Sequence, residues 1–296
     1  MMNSKFGYNL LQIQKRNSSL IPQALHSFSS QKPHFRAQKQ EIKTETIQCS
    51  KKYAFPHPIW TKEEVLNCPI TIKERNTIGD HCAYHSINFL RAGFDICSGY
   101  KKIFPWQKNE ISEKAWINRV LYLENVAGIP GFVAAMFRHL RSLRKMERDQ
   151  GWIHTLLQEA ENERVHLITF LNVKQPGILF KAGVIGGQFF YTLMFAAVYC
   201  LFPRVAHRAV GHLEEQAVIT YTHLIEEINR EGSPVNHWKN QPAPKMAIEY
   251  WQLEENATLL DVVLAVRKDE EHHKDVNHDL ANDYTQKMPN PYPPGM

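Results

Sequence analysis

No Cys-x-x-C pair occurs in the sequence, and its five cysteines (Cys49, Cys68, Cys82, Cys97 and Cys200) are odd in number and scattered. That excludes a disulfide framework and a thiolate zinc site, and it fits a reducing compartment. Period-two alternation is missing over any useful length, which argues against a β-sheet protein, and no solenoid repeat is present. A strong charge excess is missing too: the formal net charge of +5 comes partly from the N-terminus, so nucleic acid is not an expected partner. The basic run "RHLRSLRKMER" at 138–148 carries Leu140, Leu143 and Met146 at helical spacing. It reads as a solvated, headgroup-facing or subunit-facing helix surface.

Acidic residues are absent from the first forty positions, where Lys5, Lys15, Arg16, Lys32, Arg36 and Lys39 stand among serines. Basic, Ser-rich and acid-free is the composition of an organelle transit peptide. Residues 1–45 are therefore expected to be a transit segment, 46–80 an N-terminal arm, 81–282 the main domain, and 283–296, with "MPNPYPPGM", an irregular proline-rich tail.

What is present is helical periodicity, almost unbroken from 111 to 282. The first helix carries Ile117, Val120, Leu121, Glu124 and Ala127 on one stripe, and Gly-Ile-Pro-Gly at 128–131 is expected to interrupt or kink it. Further helices are expected from near Asp149 to Asn172, over 178–202, over 204–230 and over 252–281. The 178–202 run, "ILFKAGVIGGQFFYTLMFAAVYCLF", has one charge, Lys181. By length and apolarity it is a membrane segment, either spanning a bilayer or lying in one leaflet, or else a buried bundle helix.

Against that apolar background stands "EAENERVHL" at 159–167, in which Glu163 and His166 share a helix face with Ala160, Leu167 and Phe170. A second Glu-x-x-His pair, Glu270 and His273, lies in "KDEEHHKDVNH" on a stripe with Val263 and Val266. An Asp-x-x-His pair, Asp269 and His272, competes with it one residue out of phase. Glu124 sits on the core stripe of the first helix. Glu214 has Val210, Ala217 and Tyr221 at helical spacing, with Glu215 as an alternative. One glutamate from each of two helices plus Glu-x-x-His from two others is the pattern of di-iron and di-manganese carboxylate sites in four-helix bundles. Four carboxylates nearly neutralise two divalent cations, which accounts for burying the charges. Oxygen and imidazole donors suit iron or manganese.

The stretches "NRVLYLENVAGIPG", "HLRSLRKMERDQGWIHTLLQEAENERVHLITF", "GHLEEQAVITYT" and "DEEHHKDVNH" resemble the mitochondrial alternative oxidase family, in order, from about residue 85 to 282. The resemblance implies an all-α, ferritin-like four-helix bundle with a buried di-iron site and additional membrane-associated helices. It implies an oxidoreductase that oxidises ubiquinol and reduces O2 to water with two non-haem Fe ions, bypassing the cytochrome chain. The ligands it implies are Glu124, Glu163, His166, Glu214, Glu270 and His273, with Tyr221 as a redox-active neighbour. Quinol contacts would fall to Arg119, Leu123, Leu213, Ala217 and Thr220, with His207 nearby, and to the functional pair Arg91 and Asp95. His139, Leu143 and Arg144 would lie at a homodimer interface. The implied location is the matrix side of the mitochondrial inner membrane, bound to lipid in one leaflet. Asn125 replaces the family's usual threonine, Lys268 replaces a small residue, and no cysteine aligns with the family's regulatory one. A plastid-type plastoquinol oxidase would share the ligand set. A ferritin-like iron-binding protein would share the fold alone.

Overall fold

The computed structural model describes residues 55–100, 110–283 and 289–292. The expected transit segment, the arm up to residue 54 and most of the proline-rich tail lie outside the described residues. Those residues contain helices and no strand.

Local sequence signals fix the helix ends. Short α1 (Lys62–Leu66) and the longer α2 (Ile78–Cys97) both start with capping boxes, Thr61 with Glu64 and Thr77 with Asp80. Ser112 caps α3 (Glu113–Lys145), which ends at Met146 in the left-handed region, φ 52°. Gly151, at φ 96°, precedes α4 (Trp152–Val173), and the Asp149 carboxylate accepts the Ile153 N–H at 3.0 Å. Next come α5 (Ile178–Leu201) and α6 (Pro203–Asn229), the latter with proline at its first position, where the missing N–H costs nothing. A 3-10 turn (Asn236–Lys239), α7 (Lys245–Trp251) and α8 (Leu259–Asp283) complete the order.

Two expectations change here. Of the interruption or kink expected at 128–131, interruption does not occur: α3 runs on through Pro130. The two glycines serve packing instead. A Cβ at Gly131 would come within 2.7 Å of the Leu156 carbonyl, and one at Gly128 within 3.2 Å of the Ala160 carbonyl. Backbone of α3 thus approaches backbone of α4 closely, one turn beyond Glu124. The last helix begins at Leu259 rather than 252, because Trp251 closes α7 and Gln252 turns left-handed, φ 53°.

Helix α3 pairs with α4 and α6 pairs with α8, forming two layers of one bundle. On one side α5 packs against both α3 and α6, and α2 lies along α6. On the other side α4 and α8 touch sparingly, and residues 57–60 cross their seam. The larger core includes Trp116, Leu121, Phe170, Leu224, Ile228 and Trp238; a second gathers around Val133, Leu156, Val210 and Val276. The chemistry lies between them.

Helix α2 is held to α6 by a buried ion pair, Arg208 Nε to Asp80 Oδ1 at 2.8 Å. Burial pushes the Asp80 carboxyl up, but hydrogen bonds from Thr77 and Arg208 outweigh it and hold the group at about 2. The unfolded value is about 3.9, so the pair stabilises the fold above that pH and loses its effect as pH falls toward about 2. We expect acid unfolding followed by tryptophan fluorescence to begin below about pH 4, and Asp80→Asn to flatten that part of the curve. An unchanged acid limb in the variant would dismiss Asp80 as the responsible group.

Candidate metal centre

Six side chains from the four bundle helices turn inward: Glu124 from α3, Glu163 and His166 from α4, Glu214 from α6, and Glu270 and His273 from α8, all buried. Burying four carboxylates is costly unless positive charge accompanies them.

The arrangement is two-lobed. Glu163 faces both imidazoles, Oε2 lying 3.6 Å from His166 Nδ1 and Oε1 lying 2.8 Å from His273 Nδ1. Glu270 does the same, with Oε1 at 3.4 Å from His166 Nδ1 and Oε2 at 3.7 Å from His273 Nδ1. Glu124 Oε2 adds a third oxygen, 3.2 Å from His166 Nδ1. Glu124, Glu163, His166 and Glu270 each offer a donor atom within 4.8 Å of the other three. His273 joins through Glu163. Glu214 stands outside that tight group; it is buried, and the charges of Glu270 and Glu163 act on it.

Electrostatics show what the cluster demands. Burial pushes the Glu163 carboxyl up, but His166 and His273 outweigh it and hold the group well below the ordinary carboxylate range. Burial drives both imidazoles down, yet the surrounding carboxylates raise them far above 6.5. Glu214 is pushed well up, first by burial and then by the charges of Glu270 and Glu163. The site therefore calls for compensating positive charge.

Donor chemistry fits a metal. Both Glu163 oxygens, Glu270 Oε2 and His273 Nδ1 are buried without a hydrogen-bond partner. The 2.8 Å approach of His273 to Glu163 meets the distance for an ion pair but not the angle for a hydrogen bond. Such lone pairs converge on a shared volume instead of satisfying one another, and unsatisfied buried groups need an explanation. A cation between carboxylate oxygens and imidazole nitrogens supplies one.

A surrounding set of side chains locks the donors. Asp269 accepts from His166 Nε2 at 3.1 Å, Trp251 Nε1 at 2.7 Å, Trp60 Nε1 at 2.5 Å and Asn162 Nδ2 at 3.0 Å. A carboxylate on the far imidazole nitrogen is the usual orienting partner of a ligating histidine. The competing pair thus separates: Asp269 supports His166 from behind, while His272 lies half-buried against Trp60 and Tyr292. Sequence reasoning missed Trp60, Asn162 and Trp251 because nothing local marks a partner from another element. Tyr221 O–H donates to Glu124 Oε1, which puts the tyrosine at the edge of the cluster.

The remaining site residues fall into three groups. Arg91, Asp95 and Arg119 come together, with Arg119 Nη2 at 2.6 Å and Arg91 Nε at 3.4 Å from the Asp95 carboxylate. Leu123, Leu213 and Ala217 are half-buried and Thr220 is buried. His207 belongs to another network, bonding Asn277 Oδ1 at 3.0 Å and the Tyr199 hydroxyl at 3.1 Å. His139, Leu143 and Arg144 are exposed on α3.

A second His/Glu group meets ligand distances, formed by His212, Glu215 and His278. The Glu215 oxygens are committed: they accept from His212 Nδ1 at 2.8 Å, His278 Nε2 at 2.9 Å and the Lys73 N–H at 2.6 Å. Arg208 Nη1 donates to His278 Nδ1 at 2.8 Å, bringing a fixed positive charge. All side-chain polar atoms of the three but one are hydrogen-bonded, His212 Nε2 being the exception, so Glu215 and His278 have little left to offer a metal. This network also separates Glu215 from Glu214, the alternative left open by spacing. Glu271, whose neighbours suggest a wet face, is instead buried and paired with Lys268.

An all-helical bundle that gathers glutamates and histidines from paired helices into one buried cluster defines a helical metal-carboxylate protein. A family model described as Alternative oxidase matches residues 60–282. The chain is 43% identical over 244 residues to "Alternative oxidase, mitochondrial" of Ajellomyces capsulatus, covering 80% of this chain and 68% of that protein. It is 44% identical over 236 residues to the protein of that name in Emericella nidulans, covering 78% and 66%. With that of Cryptococcus neoformans var. grubii it is 40% identical over 276 residues, covering 88% and 68%. The matched region thus spans about two thirds of each relative's length. This chain belongs to the alternative oxidase family. It is accordingly an oxidoreductase, a terminal quinol oxidase, and the plastid-type reading is not favoured.

Proposed function

We propose that the chain oxidises ubiquinol and reduces dioxygen to water, with two iron ions held by Glu124, Glu163, His166, Glu214, Glu270 and His273. The observation that carries this reading is the pair of carboxylates, Glu163 and Glu270, each facing both imidazoles with buried oxygens that have no hydrogen-bond partner. Bound iron would supply the redox capacity and the place where oxygen is reduced. Two quinols per O2 supply four electrons and four protons, which balances two waters.

The protein's own part is positioning. Asp269 holds His166 with Nδ1 toward the carboxylates. Tyr221, bonded to Glu124, stands where an O–H can be given or taken beside the centre. Leu123 on α3 and Leu213, Ala217 and Thr220 on α6 form the quinol side of this reading, together with a charged triad in which Asp95 and Arg119 are buried and Arg91 half-buried. The guanidinium of Arg119 also lies over the Tyr100 ring at 4.0 Å, so its plane is fixed. Asp95→Asn should lower kcat/KM for quinol by about tenfold to a hundredfold, the loss of a charge-assisted hydrogen bond or two, while metal content stays unchanged. Loss of metal in that variant would remove the triad from the quinol site.

Lipid contact belongs to α5. Helices α3 and α5 are both long and apolar enough to cross a membrane, but α3 is a core helix, whereas little of α5 is buried. Its Ile185, Phe189, Phe190, Leu193 and Leu201 are exposed, with Phe190 71% accessible. An apolar face of that size marks a membrane or protein contact, and a helix packed along one flank on α3 and α6 suits insertion into one leaflet. The stripe of Phe132, Met136, Leu140 and Leu143 on α3, with His139 and Arg144 beside it, fits a homodimer contact. The mitochondrial names of the relatives support a mitochondrial setting; the matrix face of the inner membrane is the finer location of this proposal.

The deciding experiment is oxygen uptake by membranes carrying the protein, with ubiquinol as donor and cyanide present. Continued uptake is expected, since cyanide silences haem oxidases. Complete inhibition, or a soluble protein without metal, would overturn the proposal.

A further inference from the structure

Beside the metal cluster, on the seam between α4 and α8, lies a cavity of about 10 Å³. His57 and Pro58 roof it, Gln158 and Asn162 wall it from α4, and Asp269 and His272 wall it from α8. Three polar atoms of these walls, Gln158 Oε1, Asn162 Oδ1 and His272 Nε2, are buried without a hydrogen-bond partner in the protein. Asn162 cannot be turned to remove its share of the problem. Its Nδ2 already donates to Asp269 and to the Tyr250 hydroxyl, both at 3.0 Å, so Oδ1 must face elsewhere. Two amide oxygens and an imidazole nitrogen around one small void form a set that a single water satisfies. Water has two O–H groups for the oxygens and a lone pair for a ring N–H. A polar cavity of roughly 10–15 Å³ is just large enough for one water, and such waters usually make about three hydrogen bonds.

The geometry points to a one-water binding site here, which exchanges with bulk solvent under the His57–Pro58 roof and so forms the aqueous side of the centre. Its position supports this role. Helix α5, the apolar exposed one, covers the α3–α6 side of the bundle, whereas this seam lies between α4 and α8. The roof is a non-helical segment in which His57 is only half-buried: its ring stacks on Tyr250 at 3.6 Å, while Trp60 beyond it bonds Asp269 at 2.5 Å and packs against His272. Nothing larger than water fits. A quinol must therefore enter elsewhere, while the polar product of oxygen reduction has hydrogen-bond partners waiting here. This last point rests on the oxidase reading; the water site itself does not.

The test uses the full-length metal-loaded protein. High-resolution diffraction should show density within hydrogen-bond reach of both Gln158 Oε1 and Asn162 Oδ1, and an empty cavity would overturn the site. X-ray radiolysis in H2(18)O, read by mass spectrometry, should place the heavy label on His57 and His272, side chains next to an exchanging water. Gln158→Met removes one acceptor and should cut that labelling several-fold with metal content unchanged. His57→Ala opens the roof and should raise labelling at His272. Labelling indifferent to both variants would overturn the exchange route. Density in a protein that binds no metal would sink the oxidase reading while leaving the water site intact.

Discussion

Glu163→Ala is expected to strip the protein of metal and bring quinol-dependent oxygen uptake to background. Glu163 faces both imidazoles, 2.8 Å from His273 and 3.6 Å from His166, and its approach to His273 is the shortest between a carboxylate and an imidazole in the cluster. Even residues behind a metal ligand typically cost ten- to a hundredfold in affinity when changed, so loss of a ligand itself should exceed about a hundredfold. Metal analysis after dialysis should fall from about two ions per chain, the number this ligand pattern holds, to a small fraction. Thermal melting offers a second reading. Ferrous iron at about a hundred times its Kd stabilises a folded protein by about 2.7 kcal/mol, so the wild type should melt higher with iron and the variant should not.

The control is one turn away. Glu159 is buried on the same helix, but Asn277 Nδ2 lies 3.0 Å from both of its oxygens, so its lone pairs are engaged. Burial, the larger influence, raises its carboxyl to about 7 despite His273, so a neutral replacement there changes little. Glu159→Gln should keep its metal. Equal metal content in Glu163→Ala and Glu159→Gln would dismiss the ligand assignment, because the first would then be an ordinary buried carboxylate too.

Helical period alone was enough to find the bundle helices and to turn Glu124, Glu163 and Glu270 inward, because apolar neighbours at three and four residues define a face. It could not choose between Glu214 and Glu215, since α6 is packed on several sides and both are buried, at 2% and 1% exposure. The choice depends on His278 and the Lys73 backbone, which reach Glu215 from distant parts of the chain. Gly128 and Gly131 misled for a related reason: a glycine read along one helix looks like a breaker, whereas its use is to admit the backbone of α4. The Trp60–Asp269 bond joins residues 209 apart and has no periodic signature at all. Periodicity reports which face is buried. It is silent on what that face meets.

Asp269→Asn tests the layer that periodicity could not supply, and we expect a ten- to hundredfold loss of metal affinity with the fold intact. The carboxylate accepts from four donors at once, two indoles, one amide and one imidazole. Burial pushes its carboxyl up, but His166 outweighs that and keeps it ionised. As an anion it holds a proton of His166 on Nε2, so that Nδ1, which faces Glu124, Glu163 and Glu270, is the nitrogen that would give up its proton to a metal. Asparagine keeps the shape but turns one acceptor into an NH2 group. That group must face at least one of the N–H donors, and His166 loses the charge that sets its tautomer. Trp60→Phe removes a single donor from the same carboxylate and leaves the other three, so its effect should be smaller. Metal affinity measured by competition with a chelator should therefore rank wild type, Trp60→Phe and Asp269→Asn in descending order. If Asp269→Asn binds metal as tightly as wild type, His166 does not depend on its carboxylate partner for orientation, and the resemblance of this pair to an oriented metal ligand is accidental.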